Sequence, residues 1–364
     1  MNGMRYTYNF NAGPAALPLE VIRQVQNDLI DINGIGLSIL EISHRSEEYE
    51  LIHYETQQLI RDLLDIPSDY EVLFFQGGAS TQFAMVPMNF LTREYMASYV
   101  YSGTWSGKAI KEAEKIGEVA IVASSENEQF KRLPDLDEMN IHPGSAYVHV
   151  TSNETAAGVQ YQNLPNTGNI PLICDMSSDI LSRPFDVSKF GLIYAGAQKN
   201  LGPAGVTVVI VHRVLLDRIQ GNIPDMMNYR IHAKSNSLYN TPPVFSVYVV
   251  NLVLKWIANN GGTRGMAERN RLKADLVYET IDRSGGFYKG LAHRDSRSIM
   301  NVTFSLLNEE LERCLLHELR LNGFIGLEGH RDVGHLRASI YNSVTYNQCK
   351  VLTDFLTEFQ RRYG

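Results

Sequence analysis

Residues 71–85 read EVLFFQGGASTQFAM. The run Glu71–Gln76 is short, apolar on both faces and lacks helical spacing, the pattern of a strand covered from both sides. Gly77-Gly78 interrupts it, and Gln82-Phe83-Ala84-Met85 begins a helix. Strand, glycine turn and helix in succession form the unit from which α/β sheets are built. Outward from this unit, strand-like runs recur at Glu118–Ala123, Ala146–Thr151, Pro171–Asp175, Leu192–Ala195 and Gly205–Val211. The fold expected is therefore α/β.

Helical patterns lie between and beyond these runs. Ser46 followed by Glu47 and Glu48 supplies an N-cap and first-turn acids, with Ile52, Leu59 and Leu63 on one face. Val244–Ile257, after Pro242-Pro243 and before Asn259-Asn260-Gly261-Gly262, reads as a fully buried helix, although its β-branched content leaves a strand open. Val351, Phe355 and Phe359 mark an amphipathic helix ended by Gly364. A boundary is expected near Gly261–Gly265. Beyond it come a charged helix (Ala267–Ser284), a strand (Ile299–Leu306), a helix (Glu309–Leu321) and a strand (Leu336–Tyr341), together a small α+β domain. No internal repeat or low-complexity tract is present.

Composition narrows the function. The 364 residues carry a net charge of −7, with 44% hydrophobic and 20% charged residues. That balance is globular, and a mildly acidic chain without a basic patch argues against nucleic acid as a partner. Cys174, Cys314 and Cys349 are far apart and form no C-x-x-C, so neither a disulfide framework nor a thiolate metal site is expected. The opening MNGMRYTYNFNAGP has no apolar leader pattern, and no stretch reaches the roughly 20 apolar residues of a membrane span. The expectation is a cytoplasmic protein without membrane or metal. Motifs of P-loop nucleotidases, dinucleotide dehydrogenases, zincins and α/β-hydrolases are absent.

Three segments carry chemistry. Gln76-Gly77-Gly78-Ala79-Ser80-Thr81 places small residues and hydroxyls before a helix, which suits a phosphate; a plain tight turn remains the alternative. Tyr194-Ala195-Gly196-Ala197-Gln198-Lys199 puts a lone lysine at the end of an apolar strand. Desolvation there lowers the pKa and makes the amine nucleophilic, whereas a solvated loop lysine would be inert. Asp175 closes another apolar strand, where a carboxylate needs a cationic or N–H partner unless it merely caps a turn. A phosphate cradle, an acid and then a lysine, each after a strand, together describe a pyridoxal-phosphate site.

With these residues in view, the chain resembles the phosphoserine aminotransferase family, class-V aminotransferases among the fold-type-I pyridoxal-phosphate enzymes. The resemblance lies in NFNAGPAALP (9–18), SHRSEEY (43–49), FQGGASTQFAMVPMN (75–89), TSNET (151–155), DMSSD (175–179), AGAQKNLGPAGV (195–206), NTPPVFS (240–246) and GHRDVGHLRASIYN (329–342). It implies a large domain (16–264) with a mainly parallel seven-stranded sheet, and a small domain from 1–15 and 265–364. It also implies that Lys199 holds pyridoxal 5'-phosphate and shuttles the proton, and that Asp175 pairs with the pyridinium N–H. Trp105 would stack on the ring and Thr155 would bond to it. Gln198, Ala79 and Ser80 would hold the phosphate. Asn240 and Thr241 would reach that phosphate from the neighbouring subunit of a homodimer.

The family's substrates, L-glutamate and 3-phosphooxypyruvate, and its products, 2-oxoglutarate and O-phospho-L-serine, carry an anion at each end. Arginine binds carboxylate or phosphate through the same planar fork. The resemblance assigns His44, Arg45, His330 and Arg331 to the distal anion and Arg337 to the α-carboxylate. Ser80 stands where some members have arginine, which puts more weight on the two His-Arg pairs. Asp332 and His335 are departures beside the second pair. A related aminotransferase or a desulfurase is the nearer alternative, and a non-catalytic phosphate-binding module the more distant one. Formation of 4-phosphooxy-L-threonine, for vitamin B6, is left open by these residues.

Overall fold

The computed structural model describes residues 7–136 and 139–364. The first six residues, on which the leader reading and part of the segment 1–15 rest, lie outside them. The central sheet has seven strands: β1 (Tyr70–Phe75), β2 (Met96–Tyr101), β3 (Val119–Ser124), β4 (Ser145–Thr151), β5 (Leu172–Asp175), β6 (Leu192–Gly196) and β7 (Thr207–His212). Their spatial order is β1-β7-β6-β5-β4-β2-β3. All neighbours are parallel except β7, which runs antiparallel between β1 and β6. The expected mainly parallel sheet is the observed one.

Alternation along each strand explains why these runs are apolar on both faces. Val72, Phe74, Val148, Val150, Ile193, Val208 and Ile210 enter one apolar cluster. Leu73, Phe75, Tyr147, Leu192, Tyr194, Val209 and Val211 enter another. The first cluster is completed by α1 (Leu19–Asp28), α2 (Glu47–Leu64) and α5 (Val244–Asn259), the second by α3 (Gly78–Phe90) and α4 (Thr104–Ala113). Each fully buried aliphatic side chain contributes about 1.5–3 kcal/mol, so neither face can be left to water.

Ser46 caps α2 by accepting from the Tyr49 amide. The segment Val244–Asn259 is a helix, its Val247, Val250, Leu254 and Ile257 buried at helical spacing. Strand β2 was not expected, because Ala97 and Ser98 dilute its apolar signal. Pairing rescues it: the Ser98 hydroxyl meets that of Ser145 at 2.7 Å, and Tyr99 meets Tyr147 at 2.9 Å.

A third apolar cluster gathers Phe10 with side chains from Ala274 onward. It is built by α6 (Gly262–Asp282), α7 (Glu309–Leu321), α8 (Tyr346–Tyr363) and a three-stranded antiparallel sheet of Lys289–Gly290, Asn301–Ser305 and Leu336–Ser339. Tyr8–Asn9 pairs in parallel with Phe324–Ile325, which ties the start of the described chain to this layer. Among the described residues no helix is long and apolar enough to cross a membrane.

Candidate active site

Parallel strands end on one edge of a sheet, and ligands of open α/β sheets bind at that edge. Gly77–Ser80 follow β1, Trp105 follows β2, Thr155 follows β4, Asp175 ends β5, and Gln198 and Lys199 follow β6. The topology thus delivers five of the expected segments to the carboxyl edge.

After β1 the chain turns through Gly77 (φ +92°) and Gly78 (φ +68°) into α3. A Cβ at Gly77 would lie 1.9 Å from the Thr81 hydroxyl, so both conformation and space demand glycine. Ala79 is half-buried and Ser80 exposed at the first turn, where α3 leaves unpaired amides.

The Lys199 ammonium donates to the Thr155 hydroxyl at 2.9 Å and lies 5.4 Å from the centre of the Trp105 ring. Burial pushes its pKa down to about 8, against the pull of Asp175, Glu154 and Asp179; Arg337 adds to the lowering. It is therefore not the solvated loop lysine. The N-terminal segment lies over this turn. The Ala15 amide donates to the Gln198 carbonyl at 2.8 Å, and a Cβ at Gly13 would stand 3.5 Å from Lys199 Cγ.

Asp175 is buried, and its Oδ1 accepts from the Ser177 amide at 2.9 Å. Burial raises its pKa, while Ser177 and the nearby Lys199 charge lower it. Trp105 occupies the first turn of α4. The Lys108 ammonium stands 4.3 Å from its ring centre and His330 meets it edge-on at 6.1 Å. Lys108 was not anticipated; its place one turn beyond Trp105, in GTWSGK, was the available signal.

Arg337 is 8% exposed, and its Nη1 donates to the Thr155 carbonyl at 3.3 Å. Burial lowers its pKa. Among the described residues, two buried donors of this group have no partner: Arg337 Nε and Trp105 Nε1. Unpaired buried donors are costly, so an incoming anion or polar ring gains by pairing with them.

The other anion-binding expectations fare differently. Arg331 is not turned into the group: its side chain is 85% exposed and its ion pair is with Asp332 at 3.6 Å. Asp332 also sits 3.6 Å from His330, so the departure noted in the sequence engages both members of this pair. His335 is held apart by Glu312 at 3.0 Å. His44 and Arg45 lie in the turn before α2; no hydrogen bond or ion pair joins either side chain to Lys199, Trp105 or Arg337 among the described residues. Asn240 is half-buried and Thr241 exposed. The Thr241 carbonyl accepts from Gln76 at 3.0 Å, beside the glycine turn.

Among the described residues no group of three or more His, Cys, Asp or Glu is placed to hold a metal. Cys174 and Cys349 are buried and Cys314 is half-buried, a poor fit to the mobile reactive thiol of a desulfurase. The donor set instead suits an aromatic aldehyde bearing a phosphate: an amine with lowered pKa, a buried carboxylate, an indole with a free N–H, and a helix N-terminus.

Comparison with known proteins agrees. The family described as Aminotransferase class-V matches residues 7–352. The chain belongs to the class-V aminotransferase family. Within it, the phosphoserine aminotransferase of Geobacillus kaustophilus is 54% identical over 361 residues, 99% of this chain and 100% of that protein. The structure of the phosphoserine aminotransferase from Bacillus circulans subsp. alkalophilus superimposes with a TM-score of 0.97 at 54% identity, covering 99% of each chain. A phosphoserine aminotransferase from Trichomonas vaginalis, described as PLP bound, gives 0.91 at 35% identity over 97% of this chain and 100% of that one.

Proposed function

We propose that this protein is a pyridoxal-phosphate-dependent phosphoserine aminotransferase. It moves the amino group of L-glutamate to 3-phosphooxypyruvate, giving O-phospho-L-serine and 2-oxoglutarate, a reversible reaction of L-serine biosynthesis. One observation carries the reading: the Lys199 amine, with its lowered pKa, lies between the Thr155 hydroxyl, the Trp105 ring and the charge of Asp175. Full-length relatives at about half identity support the substrate pair.

Residues 16–264 would form the cofactor-binding domain, and the segment before them with residues 265–364 the small one. Lys199 would hold the cofactor through its amine, Asp175 would face the ring N–H, and Trp105 and Thr155 would flank the ring. The first turn of α3, with Ala79 and Ser80, and Gln198 would take the phosphate. When bound, pyridoxal phosphate supplies an aldehyde carbon and an electron-withdrawing ring. Lys199 Nζ is the base for the substrate Cα proton, since a pKa near 8 lets it both accept and return a proton near neutral pH. The Asp175 carboxylate would favour a proton on the ring nitrogen. Arg337 clamps the α-carboxylate, which fixes the direction of the Cα–H bond relative to Nζ.

The distal anion is left to His44, Arg45, His330 and Arg331. Arg45 and Arg331 are exposed in the single chain, and Leu19, Ile22, Ile30, Leu37, Leu40 and Leu51 form an exposed apolar set on the same N-terminal elements. A homodimer that covers this set, with sites completed across the subunit boundary by His44, Arg45, Asn240 and Thr241, accounts for both. The protein acts in the cytoplasm on this reading. A coupled assay with glutamate and 3-phosphooxypyruvate, run beside an absorbance scan, tests the proposal. Turnover with a near-ultraviolet or visible cofactor band, both lost in Lys199→Ala, is the expected result. A colourless protein, or a preference for alanine or aspartate over O-phosphoserine, would refute it.

A further inference from the structure

We propose that Glu154 is the positioning residue for Trp105: its carboxylate fixes the first turn of α4, so that the indole stands at a set distance from the Lys199 amine. The inference rests on Lys199 and Trp105 forming the cofactor site.

Glu154 is fully buried, with 0% exposure. Its Oε2 accepts from the Trp105 amide at 3.0 Å, and its Oε1 accepts from the Ser106 amide at 2.8 Å and the Ser106 hydroxyl at 2.7 Å. These amides belong to the first turn of α4, where no helical carbonyl is available to them, and the positive end of the helix favours an anion there. Among the described residues no ion pair engages this carboxylate. Burying a carboxylate is costly, and here three charge-assisted hydrogen bonds and the helix N-terminus offset that cost, which ties the carboxylate to this turn.

The contrast with the other caps of the chain is informative. Ser46 caps α2 and Thr345 caps α8, each through its own local turn. Glu154 instead reaches α4 from a different part of the chain, the two-residue strand Asn153–Glu154 that follows β4. It therefore transmits position between two elements, which a local cap cannot do. Room is made for it: a Cβ at Gly103 would lie 2.6 Å from Glu154 Cδ.

The neighbouring residue completes the argument. Thr155 accepts from Lys199 through its hydroxyl and from Arg337 through its carbonyl. Trp105, Lys199 and Arg337 thus take their relative positions from one dipeptide. That dipeptide is anchored in turn. The Gly158 amide closes onto the Glu154 carbonyl at 2.9 Å, the Thr303 hydroxyl donates to the Ala157 carbonyl at 2.8 Å, and the Ser298 amide donates to the Gly158 carbonyl at 2.9 Å.

The test uses Glu154→Gln and Gly103→Ala, each made in the full chain with Trp256→Phe so that Trp105 is the sole tryptophan. In Glu154→Gln one acceptor becomes an amide donor facing an N–H. In Gly103→Ala the carboxylate is kept but crowded. Three quantities are read: acrylamide quenching of Trp105 in the cofactor-free protein, the dissociation constant for pyridoxal phosphate, and the melting temperature. We expect both variants to raise Trp105 quenching and to weaken cofactor binding by about tenfold, the effect of losing one hydrogen bond to a charged group. The melting temperature should shift far less than in a core truncation. Unchanged quenching and binding in a folded variant would overturn the proposal, as would a change in melting temperature alone. If Glu154→Gln does not fold, Gly103→Ala decides by the same readouts. Should the parent protein take up no cofactor, the functional reading fails, while quenching in the cofactor-free protein still judges Glu154.

Discussion

Lys199 and Arg337 meet at a single residue, Thr155, whose hydroxyl accepts from the lysine at 2.9 Å and whose carbonyl accepts from the arginine at 3.3 Å. The two cations come from different sheets: Lys199 follows β6 of the central sheet, and Arg337 lies on the strand Leu336–Ser339 of the antiparallel one. A base and a carboxylate clamp tied to one residue keep a fixed separation, and fixed separation is what proton transfer at a bound Cα requires.

Thr155→Val keeps the shape of the side chain and removes the acceptor. The Lys199 ammonium then loses its hydroxyl partner inside a buried group. We expect turnover to fall about tenfold, as for a hydrogen bond to a charged group. The melting temperature should change little. Steady-state kinetics and a thermal scan on the same preparation check this, and unaltered turnover would remove Thr155 from the site.

Capture of the aldehyde by cofactor-free protein should depend on pH through Lys199. Only the neutral amine attacks, and burial holds its pKa at about 8 rather than 10.5. The capture rate should therefore climb as pH rises toward about 8 and level off above it. An ordinary surface lysine would keep climbing to beyond pH 10. Stopped-flow absorbance across this range discriminates the two.

Much of this arrangement was legible in the sequence because its signals are local. The turn Gly77-Gly78, the acid Asp175 closing β5 and Lys199 following β6 each stand beside an apolar strand, and strand ends are readable from one run of residues. Strand β2 was missed because its stability comes from partners far along the chain, the Ser98–Ser145 and Tyr99–Tyr147 pairs. Glu154 was missed for the same reason: its partners Trp105 and Ser106 lie on another element, and no spacing rule links them. The outward turn of Arg331 was only partly signalled. Asp332 announces a competitor for it in the sequence, but exposure is set by the closed loop in which Gly334 donates to the His330 carbonyl at 2.7 Å.

Arg337 should serve both halves of the reaction, because glutamate and the keto acid present the same α-carboxylate. Arg337→Ala removes a charged partner from a buried position, a change that costs several kcal/mol where the other charge stays unpaired. The expected outcome is a loss of roughly a hundredfold or more in kcat/KM for glutamate and for 3-phosphooxypyruvate alike. Single-turnover measurements on each half-reaction check it; damage confined to one would mean that Arg337 does not clamp the shared carboxylate.

Lys273 lies outside the site but holds the chain that follows Arg337. Its ammonium donates to the carbonyls of Ile340 at 3.0 Å, Tyr341 at 2.7 Å and Val344 at 2.8 Å. Lys273→Met fills the space and strands three acceptors, so a destabilisation of about 2–5 kcal/mol is expected. The pH dependence carries a sign. Burial lowers the folded-state pKa to about 7 from 10.5, so between those values the unfolded chain binds the extra proton. Stability from this group therefore rises with pH across that window. Urea titrations of both proteins at pH 7 and pH 9 should show the parent gaining on the variant at the higher pH.

Complementation tests whether the site spans two chains. Arg45 is exposed in the single chain and has no hydrogen bond or ion pair to the Lys199 group among the described residues, whereas Lys199 is half-buried and donates to Thr155 of its own chain. If Arg45 serves the partner's site, a mixed dimer of Arg45→Ala and Lys199→Ala chains contains one site with both residues intact and one with neither. Each variant alone should be nearly inactive. Mixed and allowed to exchange subunits, they should recover up to about a quarter of the parent activity, because half of the dimers are mixed and each holds one working site. Size-exclusion chromatography with light scattering establishes the dimer, and the assay on the mixture reads the recovery. No recovery from a mixture shown to exchange would place Arg45 in the site of its own chain or in none, and the distal anion would then fall to His330 with Lys108, the two basic side chains already gathered at Trp105.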